Sequence, residues 1–135
     1  MRFRSKTTSE VYKFRRKLVV KILSERRFCE ACMVWAGFDI FNNKLETAIV
    51  NHQQATDVHE IINRSQNGSI LDEKNLLAVC RTCHNRITVN PKDSEVLGLH
   101  LEGWCTDVKF FEEAARLRSC WSKGIQAKPF WFRAE

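Results

Sequence analysis

Two cysteine pairs with the same internal spacing constrain the fold of this chain more than any other feature. Cys29 and Cys32 form the first pair, and Cys80 and Cys83 form the second. Two residues between paired cysteines allow both thiolates to reach one metal ion at about 2.3 Å, as in a zinc knuckle. Because four thiolates leave no coordination position open, we expect a structural Zn²⁺ that ties two distant parts of the chain together.

The chain has features of a protein from a reducing compartment. Its basic amino-terminal region lacks the apolar run and small-residue cleavage site of a signal peptide. No stretch approaches the roughly 18 continuous apolar residues of a membrane span. We therefore expect a cytoplasmic protein that is neither secreted nor membrane-bound, in which CxxC pairs bind metal rather than form disulfides. Cys105 and Cys120 lack the paired spacing and are predicted to be ordinary buried cysteines.

The positive charge is concentrated at one end of the sequence. Residues 1–28 contain ten Lys or Arg against two Glu, whereas the remainder contains twelve basic and fourteen acidic residues within an overall charge of +6. A basic arm on a nearly neutral body favours a polyanionic partner such as nucleic acid, although a merely solubilising helix would give the same pattern. The candidate nucleic-acid contacts on this arm are Arg15, Arg16 and Lys17.

Hydrophobic periodicity predicts mixed helices and strands in three segments. These are a basic helical arm at 1–28, a core at 29–92 and a carboxy-terminal helical extension at 93–135. Helices are expected at 8–27, after the second cysteine pair up to Pro91, and at 107–121, with a short helix or loop at 94–101. Strands are expected at 45–50 and 56–62, paired as a hairpin across 51–54. The apolar residues expected to pack in the core are Val11, Phe14, Leu18, Ile22, Leu23, Trp35, Phe38 and Phe41. The aromatic and basic tail at 128–133 is expected to pack on the core, although stacking on nucleic-acid bases or a frayed end would also fit its composition.

A second motif lies between the cysteine pairs and beyond them. Val58-His59-Glu60-Ile61-Ile62 is followed by Asn75-Leu76-Leu77 and then by Cys80-Arg81-Thr82-Cys83-His84. With the first cysteine pair, this order resembles the HNH endonuclease family, in the zinc-bearing branch common in phages and mobile elements, over residues 29 to about 90. The resemblance implies an α+β fold in which a hairpin and a helix grip one divalent cation beside the zinc knuckle.

The resemblance also implies an activity and residues that carry it. The family cleaves phosphodiester bonds in DNA, here expected to be double-stranded, with Mg²⁺ or Mn²⁺, and the setting would be a bacterial or phage-infected cell. His59 aligns with the first metal ligand, and His84 aligns with the ligand on the helix. Asn75 aligns with the residue that orients the general base and shapes the loop, although an Asn before Leu-Leu can also cap a helix.

The sequence departs from the family pattern at Glu60, where a general-base histidine usually stands. Glu60 could itself be the base, but an ordinary glutamate pKa of about 4.3 makes it a weak base at neutral pH. Alternatively the register shifts, so that His59 is the base and Asp57 or Glu60 supplies a metal ligand. Asp57 and His59 share one face of a strand, while Glu60 points to the other. In a third reading the site is inactive and the protein only binds DNA.

Two rival functions remain open at this point. A non-catalytic zinc module that binds DNA, RNA or a protein would need zinc alone, whereas a nuclease needs a second divalent ion. A redox protein that uses its CxxC thiols would leave the histidines unexplained. Arg64 and Arg81 are candidate phosphate contacts or surface charges, which the sequence does not separate.

Overall fold

The computed structural model describes residues 6–44, 53–63, 66 and 68–132. Helices flank a small antiparallel sheet, which confirms the expected α+β class. In chain order the elements are α1 (Lys6–Glu25), α2 (Cys32–Phe41), β1 (Asp57–Glu60), a 3₁₀ turn (Glu73–Asn75), β2 (Leu76–Val79), α3 (Arg81–Val89), α4 (Pro91–Val96) and α5 (Val108–Ser122).

The long first helix packs on the sheet through its carboxy-terminal half. Ile22 is fully buried, and Leu18 and Leu23 pack with it against Leu76 and neighbouring residues of the sheet. The predicted apolar stripe was wrong at Phe14, which is 61% exposed. The helix also begins and ends two residues earlier than the predicted 8–27, at Lys6 and Glu25. The apolar side chains of α1 are therefore packed only in the part of the helix that contacts the sheet.

The sheet joins β1 to β2 in an antiparallel register. Asp57 pairs with Val79, and His59 pairs with Leu77. The second strand is buried on both faces, because Leu77 and Val79 belong to the main core while Leu76 and Ala78 contact the α1 side. The predicted strand at 56–62 is confirmed in its central part, but its predicted partner at 45–50 lies outside the described residues. The described partner, β2, was not predicted.

A second unpredicted element, α2, follows directly from the first cysteine pair. Its residue Trp35 is fully buried, as expected, but Phe38 is only partly buried and Phe41 is 50% exposed, so the core prediction was wrong at Phe41. A Cβ added to Gly37 would lie 1.9 Å from the carbonyl oxygen of Trp121. Glycine at this position is therefore required for α2 to pack closely against α5.

The carboxy-terminal segment completes the main core. The helix predicted at 107–121 is confirmed as α5, and α4 starts at Pro91, a favoured first helical residue because proline has no N–H to satisfy there. In the tail, the rings of Phe130 and Trp131 lie 5.4 and 5.6 Å from Phe110. The tail thus packs in part: Trp131 lies against the core, but Phe130 and Phe132 are 54% and 45% exposed, so the prediction of a packed tail was wrong at these two residues. Residue 133 lies outside the described residues.

One hydrophobic cluster contains the knuckle cysteines and apolar residues up to Trp121. Segment boundaries at 28 and 92 remain a prediction from the sequence. None of the helices in the described part of the chain combines the length and the apolar content that a membrane span needs.

Candidate functional site

The four paired cysteines meet in one buried cluster. Their sulfur atoms all lie within 4.8 Å of one another, and Cys32 Sγ lies 3.9 Å from Cys80 Sγ and 3.8 Å from Cys83 Sγ. Tetrahedral Zn²⁺ with bonds of about 2.3 Å requires sulfur–sulfur separations of about 3.8 Å. A disulfide would instead require about 2.05 Å. The cluster thus fits a structural zinc ion and does not fit a pair of disulfides.

The local fold explains how the thiols converge. Cys32 opens α2, and Cys80 is the residue that caps α3, its sulfur accepting from the backbone N–H of Cys83 at 3.5 Å. The first pair is held near the second by backbone hydrogen bonds such as Glu30 N to Ala78 O at 2.8 Å. Zinc at this point would therefore link the starts of two helices to the sheet.

The thiols perturb one another strongly. The hydrogen bond from Cys83 lowers the pKa of Cys29 to about 5, whereas that same contact and burial raise the pKa of Cys83. Four thiolates this close repel each other, so full deprotonation requires a cation among them. Cys105 is buried as predicted, but Cys120 is only half-buried, so the prediction of a buried thiol was wrong at Cys120.

The second cluster of predicted site residues lies between β1 and α3. Alternation along β1 places Asp57 and His59 on the face towards α3, where His84 stands in the second turn. The rings of His59 and His84 are 5.4 Å apart between centroids. Both histidines line a cleft of about 270 Å³ together with Arg15, Val58, Glu60, Asn63 and Thr88.

His59 has a defined protonation state. Its Nε2 lies 2.7 Å from the carbonyl oxygen of Leu99. A carbonyl can only accept a hydrogen bond, so Nε2 carries the proton in the neutral imidazole and Nδ1 keeps a lone pair. The side chain is only 7% exposed, and burial lowers the pKa of His59 to about 4. The imidazole is therefore neutral at pH 7, with Nδ1 as its basic atom.

Asp57 binds His84 and a neighbouring arginine. One carboxylate oxygen accepts from Arg81 Nε at 2.7 Å and lies 3.0 Å from His84 Nδ1. The Arg81 guanidinium, helped by His84, lowers the pKa of Asp57 to about 2. Asp57 is therefore ionised throughout the neutral range. A carboxylate beside an imidazole is a donor pair that Mg²⁺ or Mn²⁺ accepts, the remaining positions being taken by water or phosphate.

Glu60 points away from this pair, towards α1. Its Oε2 lies 3.3 Å from Arg15 Nη2, and both side chains are nearly buried, at 10% and 12% exposure. Arg15 also donates to the carbonyl oxygen of Ile70 at 3.2 Å. Glu60 therefore lines the same cleft as His59 while its carboxylate is bound by an arginine.

Asn75 holds the loop that follows β1. Its Oδ1 accepts from the backbone N–H of Ile62 at 2.7 Å, and its Nδ2 donates to the carbonyl oxygens of Ile62 and Ser69. The side chain is 98% buried. Asn75 thus shapes the loop, whereas the atom that holds His59 is the Leu99 carbonyl.

The predicted nucleic-acid contacts lie in different settings. Arg15 is nearly buried in the cleft, whereas Arg16 and Lys17 are exposed on α1. The side chain of Arg81 is 74% exposed although it pairs with Asp57. Arg64 lies outside the described residues. Of the described candidates, Arg15 therefore lies in the cleft, whereas Arg16, Lys17 and Arg81 are exposed to solvent.

Two residues of this site were not predicted from the sequence: Leu99, which contacts His59, and Thr88, which lines the cleft. Leu99 acts through its backbone carbonyl, which no sequence pattern reveals, and it lies in a segment beyond the recognised motif. Thr88 stands four residues after His84 on α3, so helical spacing would have placed it on the same face.

Close three-donor groups of His, Cys, Asp or Glu occur at two places in the described part of the chain. One is the four-cysteine cluster, and the other is Glu95, His100 and Glu102. The candidate ligand atoms of Asp57, His59 and His84 do not all lie within 4.8 Å of one another. The catalytic-ion ligands expected from the sequence are therefore brought together as the pair Asp57 and His84, with His59 beside them.

Comparison with known proteins identifies one match. Residues 45–89, a third of the chain, match the model of the HNH endonuclease family. No curated protein and no solved structure matches the chain. The matched segment contains β1, β2 and all of α3, with both histidines of the cleft. The expected ββα core of this family, with a four-cysteine cluster beside it, is confirmed.

Proposed function

From the HNH endonuclease domain at residues 45–89, we propose that this protein hydrolyses or nicks phosphodiester bonds in DNA with one divalent ion, Mg²⁺ or Mn²⁺. The family indicates a nuclease in general. DNA as the substrate is supported by the excess of basic residues in 1–28. The observation that carries the catalytic assignment is the hydrogen bond between His59 Nε2 and the Leu99 carbonyl oxygen.

His59 is the general base in this proposal. The Leu99 carbonyl fixes the tautomer and leaves Nδ1 free to take a proton from water. Burial lowers the pKa of His59 to about 4, so the base is unprotonated at neutral pH. A base of this pKa is intrinsically weak, and its advantage is a fixed position rather than high basicity. Glu60 is a poorer candidate because Arg15 binds its carboxylate.

Asp57 and His84 are the proposed ligands of the divalent ion. Their side chains already lie 3.0 Å apart, and the pKa of Asp57 near 2 keeps the carboxylate charged. When bound there, the ion would stabilise charge that develops on the phosphate and the leaving oxygen. Arg81 neutralises Asp57 in the structure and is largely exposed, so it is free to turn towards a phosphate when the cation takes its place.

The alternative is a zinc-stapled module that binds nucleic acid without cleaving it. Its specific support is that Asp57 is already paired by Arg81, so this carboxylate is satisfied without a metal. In that case both histidines would serve only packing and hydrogen bonding. The two functions differ in their need for a second ion.

A plasmid assay distinguishes the two functions. Zinc-loaded protein is incubated with supercoiled, linear, single-stranded and branched DNA in Mg²⁺, Mn²⁺ or EDTA. The nuclease predicts nicking that needs the added ion and disappears in His84→Ala. Glu112→Gln on α5 serves as the control, because it changes an exposed side chain away from the cleft. Binding without cleavage of every substrate by the folded wild type would establish the non-catalytic module instead.

A further inference from the structure

A second group of metal-ligating side chains lies between α4 and α5, apart from the two sites described above. Glu95 stands near the end of α4, and His100 and Glu102 follow in the connecting segment. One imidazole nitrogen and one oxygen of each carboxylate lie within 4.8 Å of one another. Three protein ligands that combine carboxylates with imidazole are the donor set of open divalent-metal sites.

The two carboxylates of this group lie beside each other. Within the described ranges, neither Glu95 nor Glu102 forms an ion pair with a lysine or arginine. Both side chains and His100 are half-buried, where adjacent carboxylates repel each other more strongly than in water. A divalent cation would remove that repulsion, and the imidazole supplies a neutral nitrogen donor beside it.

The backbone that carries these ligands is already fixed. Leu101 N donates to the carbonyl oxygen of Ile61 at 3.0 Å, and Cys105 N donates to that of Glu102 at 2.9 Å. The alternate leucines of the segment are fully buried: Leu97, Leu99 and Leu101. An ion that binds here would therefore order little additional backbone, which favours binding.

We propose that Glu95, His100 and Glu102 bind a divalent transition-metal ion, Zn²⁺ or Mn²⁺, at a site separate from both the zinc knuckle and the nuclease cleft. The residue before His100 is Leu99, whose carbonyl holds His59. The ion would thus anchor the peptide that orients His59, a consequence that rests on the proposed nuclease function. The binding itself does not depend on that function.

Metal titration of the full-length chain tests the site. Protein with its knuckle filled by zinc carries His84→Ala, so that the cleft has lost a proposed ligand, and Mn²⁺ binding is followed by electron paramagnetic resonance. Zn²⁺ binding is followed in parallel by equilibrium dialysis. One additional ion per chain is expected. The change Glu95→Gln with Glu102→Gln should weaken it by roughly 10- to 100-fold or more, since even residues that only support a metal ligand carry that effect.

The control removes a charge of the same kind elsewhere. Glu112→Gln on α5 is an exposed substitution that should leave the additional binding unchanged. Knuckle zinc content and circular dichroism must match the wild type, which separates ligand loss from misfolding. Equal affinity in the double variant and its parent, or no additional ion of either kind in the parent, would overturn the proposal. Because the readout is ion binding, failure of DNA cleavage leaves this result unaffected.

Discussion

The imidazole of His59 is held by a carbonyl oxygen that can accept a hydrogen bond but cannot donate one. Burial of the ring lowers the pKa of His59, whereas the hydrogen bond to the Leu99 carbonyl raises it, and burial is the larger effect. The hydrogen bond places the proton of the neutral ring on Nε2. The neutral ring must take up a proton when the chain unfolds in mildly acidic solution. His59 therefore makes the stability of the protein depend on pH, and the same residue is the proposed general base.

This linkage gives a first prediction. The pKa of His59 is about 4 in the folded protein and about 6.5 when unfolded, so the unfolded state binds more protons between those values. Stability is then lost as pH falls through this window. From pH 7.5 to 5.5, the wild type should lose about 1.3 kcal/mol more than His59→Gln, which does not titrate and can still donate to Leu99. Urea unfolding of both zinc-loaded proteins at the two pH values measures the difference in their free energies of unfolding. The titrations of other groups cancel in this difference. A difference that does not change with pH would contradict the prediction.

The positions of several residues of this site were predicted from the sequence. Strand alternation placed Asp57 and His59 on one face and Glu60 on the other, as the structure has them. The role of Asn75 in shaping the loop also follows its motif position. The role of Leu99 could not be predicted, because it acts through its backbone carbonyl, whose position depends on the fold and not on the type of side chain.

The four-cysteine cluster joins several helices and strands of the core. Its members begin α2, precede α3 and lie in the main hydrophobic core. Zinc bound by this cluster would contribute directly to folding, because the four thiols are brought together only in the folded chain.

The second prediction concerns zinc. The wild type should contain one tightly bound zinc per chain, and chelation should abolish cooperative unfolding. Cys32→Ser should lose the ion, whereas Cys120→Ser, a half-buried thiol outside the cluster, should keep it. Elemental analysis and thermal denaturation measure both effects. A Cys32→Ser protein with full zinc content and unchanged melting would contradict the structural role of the cluster.

The third prediction concerns how α1 docks on the cleft that contains His59 and His84. Arg15 reaches both Glu60 and the carbonyl of Ile70, a pair of contacts that lysine cannot reproduce with one ammonium group. We expect Arg15→Lys to lower the free energy of unfolding by about 1–2 kcal/mol. The adjacent, exposed Arg16→Lys should change it by less than about 0.5 kcal/mol. Urea denaturation of the three proteins gives the comparison, and equal effects would exclude a docking role for Arg15.

At the scale of elements, the sequence predicted α1, α3, α5 and β1 but missed α2 and β2. The four apolar residues of β2 are buried on both sides, so they lack the alternation that identifies a strand. In α2, Gly37 and several β-branched or aromatic residues weaken local helix preference, and close packing on Trp121 outweighs it. Both elements are determined by tertiary burial, which local patterns do not report.

For the whole molecule, the distribution of charge matters more than its total. Several basic residues near the sheet are balanced locally, as in the pairs of Lys21 with Glu73 and of Arg26 with Glu30. Arg16 and Lys17 lie exposed on α1. We infer that these two make phosphate contacts, while the paired residues serve mainly to dock α1.

The fourth prediction follows from counterion release. If both side chains neutralise phosphates of duplex DNA, Arg16→Gln with Lys17→Gln should reduce the slope of log K against log salt by about 1.8. Fluorescence anisotropy in EDTA measures binding without cleavage. Lys21→Gln serves as the control, because this lysine is already paired with Glu73 and should change the slope much less. An unchanged slope in the double variant would place the DNA elsewhere.

The most direct test of the account compares two neighbouring residues in one reaction. Single-turnover nicking of supercoiled plasmid is measured for the wild type, His59→Ala and Glu60→Gln, each with verified zinc content and circular dichroism. If His59 is the general base, His59→Ala should lower the rate by about 10²- to 10⁴-fold, and Glu60→Gln should retain it within about tenfold. A large loss in Glu60→Gln together with a nearly active His59→Ala would contradict the account and assign the base to Glu60.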